Sequence, residues 1–303
     1  MEGSRLHIPV DFTAESLHSG GHSGTTIFPM GQGVGATWNV SMAERVGAAI
    51  AREARASGVA HGLCPVINIP TDPRFGRTQE SYGEVSRAIT SDAIPPLLVA
   101  PKPLRRLCGQ DPFIVGTMSA AATRGIQGPP SNGGPNSYLV APDEHIIAQA
   151  KHFFAYGHGG REGRSAFIDE RTLMDVYGRP WFKAVNESGL RGAMASHNSV
   201  NYQPMHGSRL WLTQTLRERL GFGAGYIAAD ADDVQQLFVT HKVASSNEES
   251  AVLAVRAGMD QDLNSLHNTP FSTLGKSSAA MKSQTLDAAI DRAAGNVSQD
   301  VQI

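Results

Sequence analysis

Gly225-Tyr226-Ile227-Ala228-Ala229-Asp230 is a short apolar run that ends on a carboxylate, with Asp232 and Asp233 close behind. Small and branched residues in an unbroken run describe a strand buried on both faces, the habit of a parallel sheet. In a β/α barrel the carboxyl end of such a strand carries the chemistry. A strand that ends in Asp can also simply feed a turn or cap a helix. The other strands decide between these readings.

Six stretches read as strands: residues 7–12, 62–69, 146–152, 192–196, 225–230 and 259–263. Helical stretches lie between them. Over 41–57, Ser41 is the expected cap, Glu44 sits three residues on, and Val46, Ala49, Ile50 and Ala54 make an apolar face. Further helices are expected over 111–125, 170–188, 208–220, 248–257 and, in the tail, 284–294; loops are expected over 70–84 and 128–135. Strand alternating with helix predicts a parallel α/β fold. The two candidates are a (β/α)8 barrel, incomplete with about six readable strands, and a doubly wound sheet. Polar residues at the ends of five separate strands favour the barrel, because an open sheet gathers its site at one switch point.

Composition sets outer bounds. The 303 residues suffice for one large α/β domain or two small ones, and 41% hydrophobic with 18% charged content is ordinary for a globular protein. A formal net charge of −2 gives no electrostatic reason to expect nucleic acid or an anionic membrane as partner. Cys64 and Cys108 make one pair at most and no Cys/His spacing resembles a zinc site, so neither a metal nor another cofactor is expected. No apolar run has spanning length, and residues 1–7 are too short and polar for a signal peptide.

Glu15, Asp72, Arg74, Arg77, Lys151, His152, Arg161, His197 and Asp230 all fall at or just after strand ends. Together they would line a pocket of carboxylates and cations with few apolar walls, which suits a neutral polyhydroxylated ligand. The cations would keep Asp230 ionised, and an ionised carboxylate can attack an anomeric carbon. Simpler readings stand beside this one. Asp72-Pro73-Arg74 can be a turn, Arg77 and Glu80 a surface ion pair, and His152 a core histidine. Lys151 and His152 are neighbours on a strand and should face opposite ways. Asp230, Asp232 and Asp233 together could hold a divalent cation, although no calcium-loop spacing is present.

These residues resemble the N-terminal catalytic barrel of glycoside hydrolase family 3, of the β-glucosidase type. The likeness runs from about Ile8 to Leu263. Ile8-Pro9, continuing to Glu15-Ser16-Leu17-His18, resembles the family's strand that ends in an acid before Leu-His-Gly. Thr26-Ile27-Phe28-Pro29 resembles its T-x-F-P segment. Asp72-Pro73-Arg74-Phe75-Gly76-Arg77 with Glu80-Ser81-Tyr82-Gly83-Glu84 resembles its DPRWGR and ESYGED signature. Lys151-His152-Phe153, Gly159-Gly160-Arg161, Asp169-Glu170-Arg171-Thr172-Leu173 and Met194-Ala195-Ser196-His197-Asn198 resemble KHF, GGR, SERELRE and MASYN. Ala229-Asp230 stands where the family has Ser-Asp.

The resemblance implies hydrolysis of terminal non-reducing β-D-glucosyl residues by a retaining mechanism, with Asp230 as nucleophile. Glu15, Arg77, Lys151, His152, Arg161, Met194 and His197 would bind the sugar of a β-linked oligosaccharide or glucoside. Retention needs a second carboxyl about 5–5.5 Å away. Two-domain members supply it as a Glu from a C-terminal domain, here expected beyond residue 303. Single-domain members use a His/Asp dyad after KHF; residues 155–165 lack that pattern, leaving His158 and Glu162 as substitutes. The alternative is a sugar-binding fragment that cannot turn over. The family's first strand should precede Ile8, and its full-length members imply secretion.

Three departures stand out. An aromatic wall is lost at Ala231, and His197 replaces the Tyr of MASYN. The family's continuous Gly-Glu-Asp-Pro is split between Gly83-Glu84 and Asp111-Pro112 by 26 residues, 85–110. That block is Pro-rich, lacks a period, and begins with Val and ends with Gln. Val is encoded by GTN and Gln can be CAG, the boundary nucleotides of an intron in frame, so the block is expected to be a non-native insertion.

Overall fold

The computed structural model describes residues 12–83, 111–128, 144–158, 165–223 and 225–263. Five strands form one sheet: β1 (Thr13–Ala14), β2 (His61–Gly62), β3 (Ile147–Phe153), β4 (Gly192–Ala195) and β7 (Tyr226–Ala228). All four ladders are parallel, and the spatial order follows the chain order among them. Among the described strands the order does not reverse, as a doubly wound sheet requires. A bridge from Ala228 to Gln261 adds the start of a sixth parallel segment. This is the wall of a (β/α)8 barrel. Two short strands, β5 (Ser199–Val200) and β6 (Gln203–Pro204), form a hairpin between β4 and β7.

Several boundaries differ from the sequence expectation. The first strand is Thr13–Ala14, whereas the stretch predicted for it, 7–12, lies almost wholly outside the described residues. Of the run 62–69 only Gly62 pairs regularly, together with His61 just before it, and the run bridges again from Val66 to Lys151. Pro65 lies between and has no N–H to give the ladder. The tail helix over 284–294, the loop 129–135, the block 85–110, Arg161 and Glu162 fall outside the described residues.

After the short helix α1 (Gly31–Gly35), helix α2 (Val40–Ala56) is capped by Asn39, not Ser41: the side-chain Oδ1 of Asn39 accepts from the Met42 N–H at 3.0 Å. Ser41 donates to the same oxygen, and Glu44 leaves the cap to pair with Arg124 at 3.2 Å. Its buried face is Ala43, Gly47, Ile50, Ala51 and Ala54, rotated away from Val46 and Ala49. Close helix packing selects this face. Helix α3 (Pro112–Gln127), capped by Asp111, crosses α2 so tightly that a Cβ on Gly125 would lie 2.0 Å from the Glu44 carbonyl oxygen. A Cβ on Gly47 would lie 2.6 Å from that of Ala122.

Beyond β3 the chain winds through α4 (Glu170–Thr172), a π-helical segment Leu173–Gly178 and α5 (Arg179–Ser188). A second π-helical segment, Leu210–Arg219, precedes β7, and α6 (Asp233–Val239) and α7 (Asn247–Ala257) follow it. Phe153, Phe154, Trp181, Trp211, Leu212 and Ile227 anchor the main apolar cluster between these helices and the strands. Among the described residues no helix is long and apolar enough to cross a membrane.

Gly125→Ala forces the α2–α3 contact apart. Overpacking costs about 1–3 kcal/mol, which exceeds the ~1 kcal/mol that Ala gains over Gly in a helix. Urea denaturation should therefore show a net loss of stability, and an unchanged midpoint would contradict the close crossing.

Candidate functional site

The ladders bring one rung of the sheet to a common level. Lys151 pairs with Met194, and Met194 with Ala228. Two residues beyond Ala228 stands Asp230, and three beyond Met194 stands His197. Glu15 follows β1 directly. The carboxyl ends of successive parallel strands thus deliver Glu15, Lys151, His152, His197 and Asp230 to one end of the sheet, and contacts link them into one cluster.

Lys151 donates to both Glu15 oxygens, at 2.6 and 2.8 Å. The Lys151 side chain is 5% exposed and that of Glu15 55%, so the lysine lies within and the acid at the rim. Lys151 and His152 both reach the site although they are strand neighbours. The β3–β4 register shifts between Lys151 and Phe153, and such a bulge re-aims a side chain. The peptide bonds Lys151–His152 and Phe153–Phe154 are cis.

His152 is held by an amide that the sequence reading overlooked. Asn68 accepts from the His152 backbone N–H at 2.9 Å, and its NH2 group lies 3.2 Å from His152 Nδ1. With Nδ1 accepting, the ring proton sits on Nε2, which faces Asp230 Oδ2 at 3.4 Å. Burial holds His152 well below the usual histidine range, so the ring is neutral. A lone amide inside the apolar run 64–69 was the available signal for Asn68.

Arg77 makes a two-pronged contact with Glu80, at 2.8 and 2.9 Å, and its Nη2 comes within 3.4 Å of His152 Nε2. Glu80 is buried, so this is no surface ion pair. Tyr156 meets Phe75, His152 and His197 edge-on and underlies the Arg77 guanidinium. Asp72 takes the turn reading: it caps the short turn Pro73–Phe75 and pairs with the exposed Arg74. Met194 is buried in its rung and lies outside both apolar clusters. His158, the candidate on the loop after β3, is bonded to the Tyr177 hydroxyl at 2.8 Å, and burial lowers its pKa.

Asp230 is buried and its charge is compensated. Burial opposes ionisation, but the close approach of His197 and a hydrogen bond from the Ala231 N–H at 2.7 Å hold the carboxyl well below its ordinary range. His197 Nε2 lies 2.9 Å from Asp230 Oδ2 and His197 Nδ1 2.6 Å from Asp233 Oδ2. Burial disfavours the imidazolium, yet the two carboxylates raise His197 to about 10. His206 completes the floor: its Nε2 accepts from the Asp230 backbone N–H at 3.2 Å, and burial keeps the ring neutral.

The acidic cluster considered for a cation is therefore reorganised. Ligand atoms of His197, Asp230 and Asp233 lie within 4.8 Å of one another. Both imidazole nitrogens, however, face a carboxylate oxygen at hydrogen-bond distance. The 2.6 Å separation is shorter than the roughly 3.3 Å kept by two ligands of a tetrahedral ion. Asp232 stands outside the triad, at a left-handed φ of 63° ahead of α6.

With this geometry in hand, the similarities are specific. The model for "Glycosyl hydrolase family 3 N terminal domain" matches residues 1–93 and 104–298. A β-xylosidase of Formosa agariphila is 33% identical over 267 residues, covering 86% of this chain and 32% of that protein. A lysosomal β-glucosidase of Dictyostelium discoideum is 29% identical, covering 87% and 29%. A solved β-glucosidase from Erythrobacter marinus superposes with a TM-score of 0.74 at 30% identity, over 96% of this chain and 34% of that one. The chain spans about one third of the length of these relatives.

Asn68→Leu removes both partners of His152, the acceptor for its N–H and the donor to Nδ1. Leaving buried polar groups unmet should cost about 1–3 kcal/mol, measurable by chemical denaturation. A loss no larger than that of an exposed control substitution would exclude the clamp.

Proposed function

Because the chain belongs to glycoside hydrolase family 3, we propose that it is the barrel domain of a retaining glycosidase acting on terminal β-D-glucosyl residues, in the breakdown of β-linked saccharides. The observation that carries this reading is Asp230, a buried carboxylate kept ionised in a cluster of sugar-compatible donors and acceptors.

In this mechanism an Asp230 oxygen bonds to the anomeric carbon as the bond to the leaving oxygen breaks. Water then displaces the carboxylate and releases the sugar with its configuration retained. Lys151, Arg77 and the Nε2–H of His152 donate to sugar hydroxyls, and Glu15 accepts at the rim. Arg161 and Met194 belong to the same proposed subsite, as the family pattern implies. Both nitrogens of His197 are committed to carboxylates and His158 is turned to Tyr177, so neither serves the leaving group. We assign the general acid to a further domain carrying a carboxyl, consistent with a chain that spans a third of its relatives' length. The relatives include β-xylosidases as well as β-glucosidases, so the sugar is decided by comparing the two substrates. We also infer that the block 85–110 is a retained insertion. The family match leaves 94–103 unmatched while extending over 85–93 and 104–110, and a mature transcript containing the block would contradict this reading.

The test uses activated and unactivated substrates. The chain should release nitrophenol from an aryl β-glucoside faster than from the aryl β-xyloside, and leave an alkyl β-glucoside intact for want of an acid. Asp230→Ala should reduce release by at least about 10³-fold. A 2-fluoro glucoside with a dinitrophenyl leaving group should leave a sugar ester on Asp230 by mass spectrometry. Binding of glucose without release, or release unaffected by Asp230→Ala, would favour a sugar-binding fragment or another site.

A further inference from the structure

We propose that Asp233 is a positioning residue that fixes His197 as an imidazolium against Asp230, so that the reactive carboxylate works inside a carboxylate–imidazolium–carboxylate relay. This rests on the glycosidase reading for its catalytic meaning, though not for its structural content.

The geometry requires the charge. His197 faces Asp233 Oδ2 through Nδ1 at 2.6 Å and Asp230 Oδ2 through Nε2 at 2.9 Å. Each ring nitrogen thus lies at ion-pair distance from an anionic oxygen, and only the protonated ring presents an N–H, not a lone pair, on both sides. A neutral ring would set a lone pair against one of the two anions. Asp233 is buried at the start of α6, and its N–H donates to the Asp230 carbonyl oxygen at 3.2 Å. The turn between the two acids is thereby closed, and both carboxylates converge on one ring.

The other groups around His197 leave this assignment in place. From β3, the neutral His152 ring stacks at 6.2 Å, and Tyr156 lies edge-on at 5.5 Å. His206, between β6 and the second π-helical segment, approaches Asp233 at 3.6 Å but spends its Nε2 lone pair on the Asp230 N–H. His241, after α6, feels the Asp233 charge and is pushed down by burial. The Arg77 cation lies one step away, across His152.

The relay bears on the covalent step. Free, the three groups sum to −1. When Asp230 becomes an ester with the sugar, its charge is lost, the aglycone departs with the bonding pair, and the relay becomes neutral. Without Asp233 the same step would leave an uncompensated buried cation beside the ester. Asp233 therefore favours glycosyl-enzyme formation while His197 keeps Asp230 a weak base and a good leaving group for the second step.

The experiment has two arms on the full chain. In the first, nitrogen NMR of labelled histidines follows His197, assigned with His197→Gln. The wild-type ring should stay doubly protonated through neutrality and titrate near 10. In Asp233→Asn its midpoint should fall by at least about one unit, a tenfold change in proton affinity, while Asp233→Glu should restore most of it. A wild-type midpoint near 6.5, or one unmoved by Asp233→Asn, overturns the proposal, and a spectrum showing unfolded Asp233→Asn leaves the wild-type midpoint and Asp233→Glu to decide. In the second arm, nitrophenol release by Asp233→Asn should lose at least about tenfold in kcat, with little change in KM and an alkaline limb moved to lower pH. Unchanged kcat and pH profile overturn the catalytic role. If the wild type releases nothing while His197 titrates as described, the glycosidase reading fails and the relay stands as structure.

Discussion

An ionised carboxylate inside a protein needs opposite charge and hydrogen bonds at once, or it takes up a proton. Asp230 is supplied with both, and much of the site can be traced to that need. His197 brings the charge at Oδ2, Ala231 a backbone donor to Oδ1, and the neutral His152 an N–H aimed at Oδ2. Each of these is itself held: His197 by Asp233 and His152 by Asn68, while Arg77 beside it is held by Glu80. The cluster is therefore a chain of dependencies, not a collection of independent contacts, and substitutions within it should not add.

The scaffold makes such convergence possible through strand order. Parallel neighbours in register place Lys151, Met194 and Ala228 at one height, so short excursions past the strand ends meet. The outer layer is held close by small residues. Gly47 and Gly125 let α2 and α3 approach to backbone contact. Phe153, Trp181 and Trp211 fill the wider space between strands and helices.

Much of this was legible in the residues. Apolar runs ending on polar side chains marked β3, β4 and β7 and the bridge at Gln261, because parallel strands are buried along their length and exposed only at their ends. The first strand instead falls at Thr13–Ala14, past the apolar run 7–12, and the second pairs only at the start of its run. Motif order identified the family and therefore the barrel, which the strand count alone could not close. Other features were hidden for physical reasons. The cap of α2 went to Asn39 over Ser41 by the local path of the chain, which pattern matching does not see. The buried face of α2 was set by close packing, which favours glycine and alanine over the more hydrophobic Val46. Asn68, His206 and Asp233 act through contacts across 84, 24 and 36 positions of chain, the last being 233 − 197. No local period records such pairs. The 2.6 Å contact to His197 also turned Asp233 from a supposed cation ligand into an ion-pair partner.

The lone pair that His206 offers to the Asp230 N–H has a consequence at the acid end of the scale. That bond exists only while the ring is neutral. Burial lowers the folded-state affinity of His206 for a proton below its ordinary value, so unfolded chains take up that proton first as pH drops below about 6.5. Protonation in place would set one N–H against another and push the strand end outward. The anchoring of Asp230 is thus vulnerable to souring by a route separate from protonation of its carboxylate: acid acts here on the backbone as well as on the side chain.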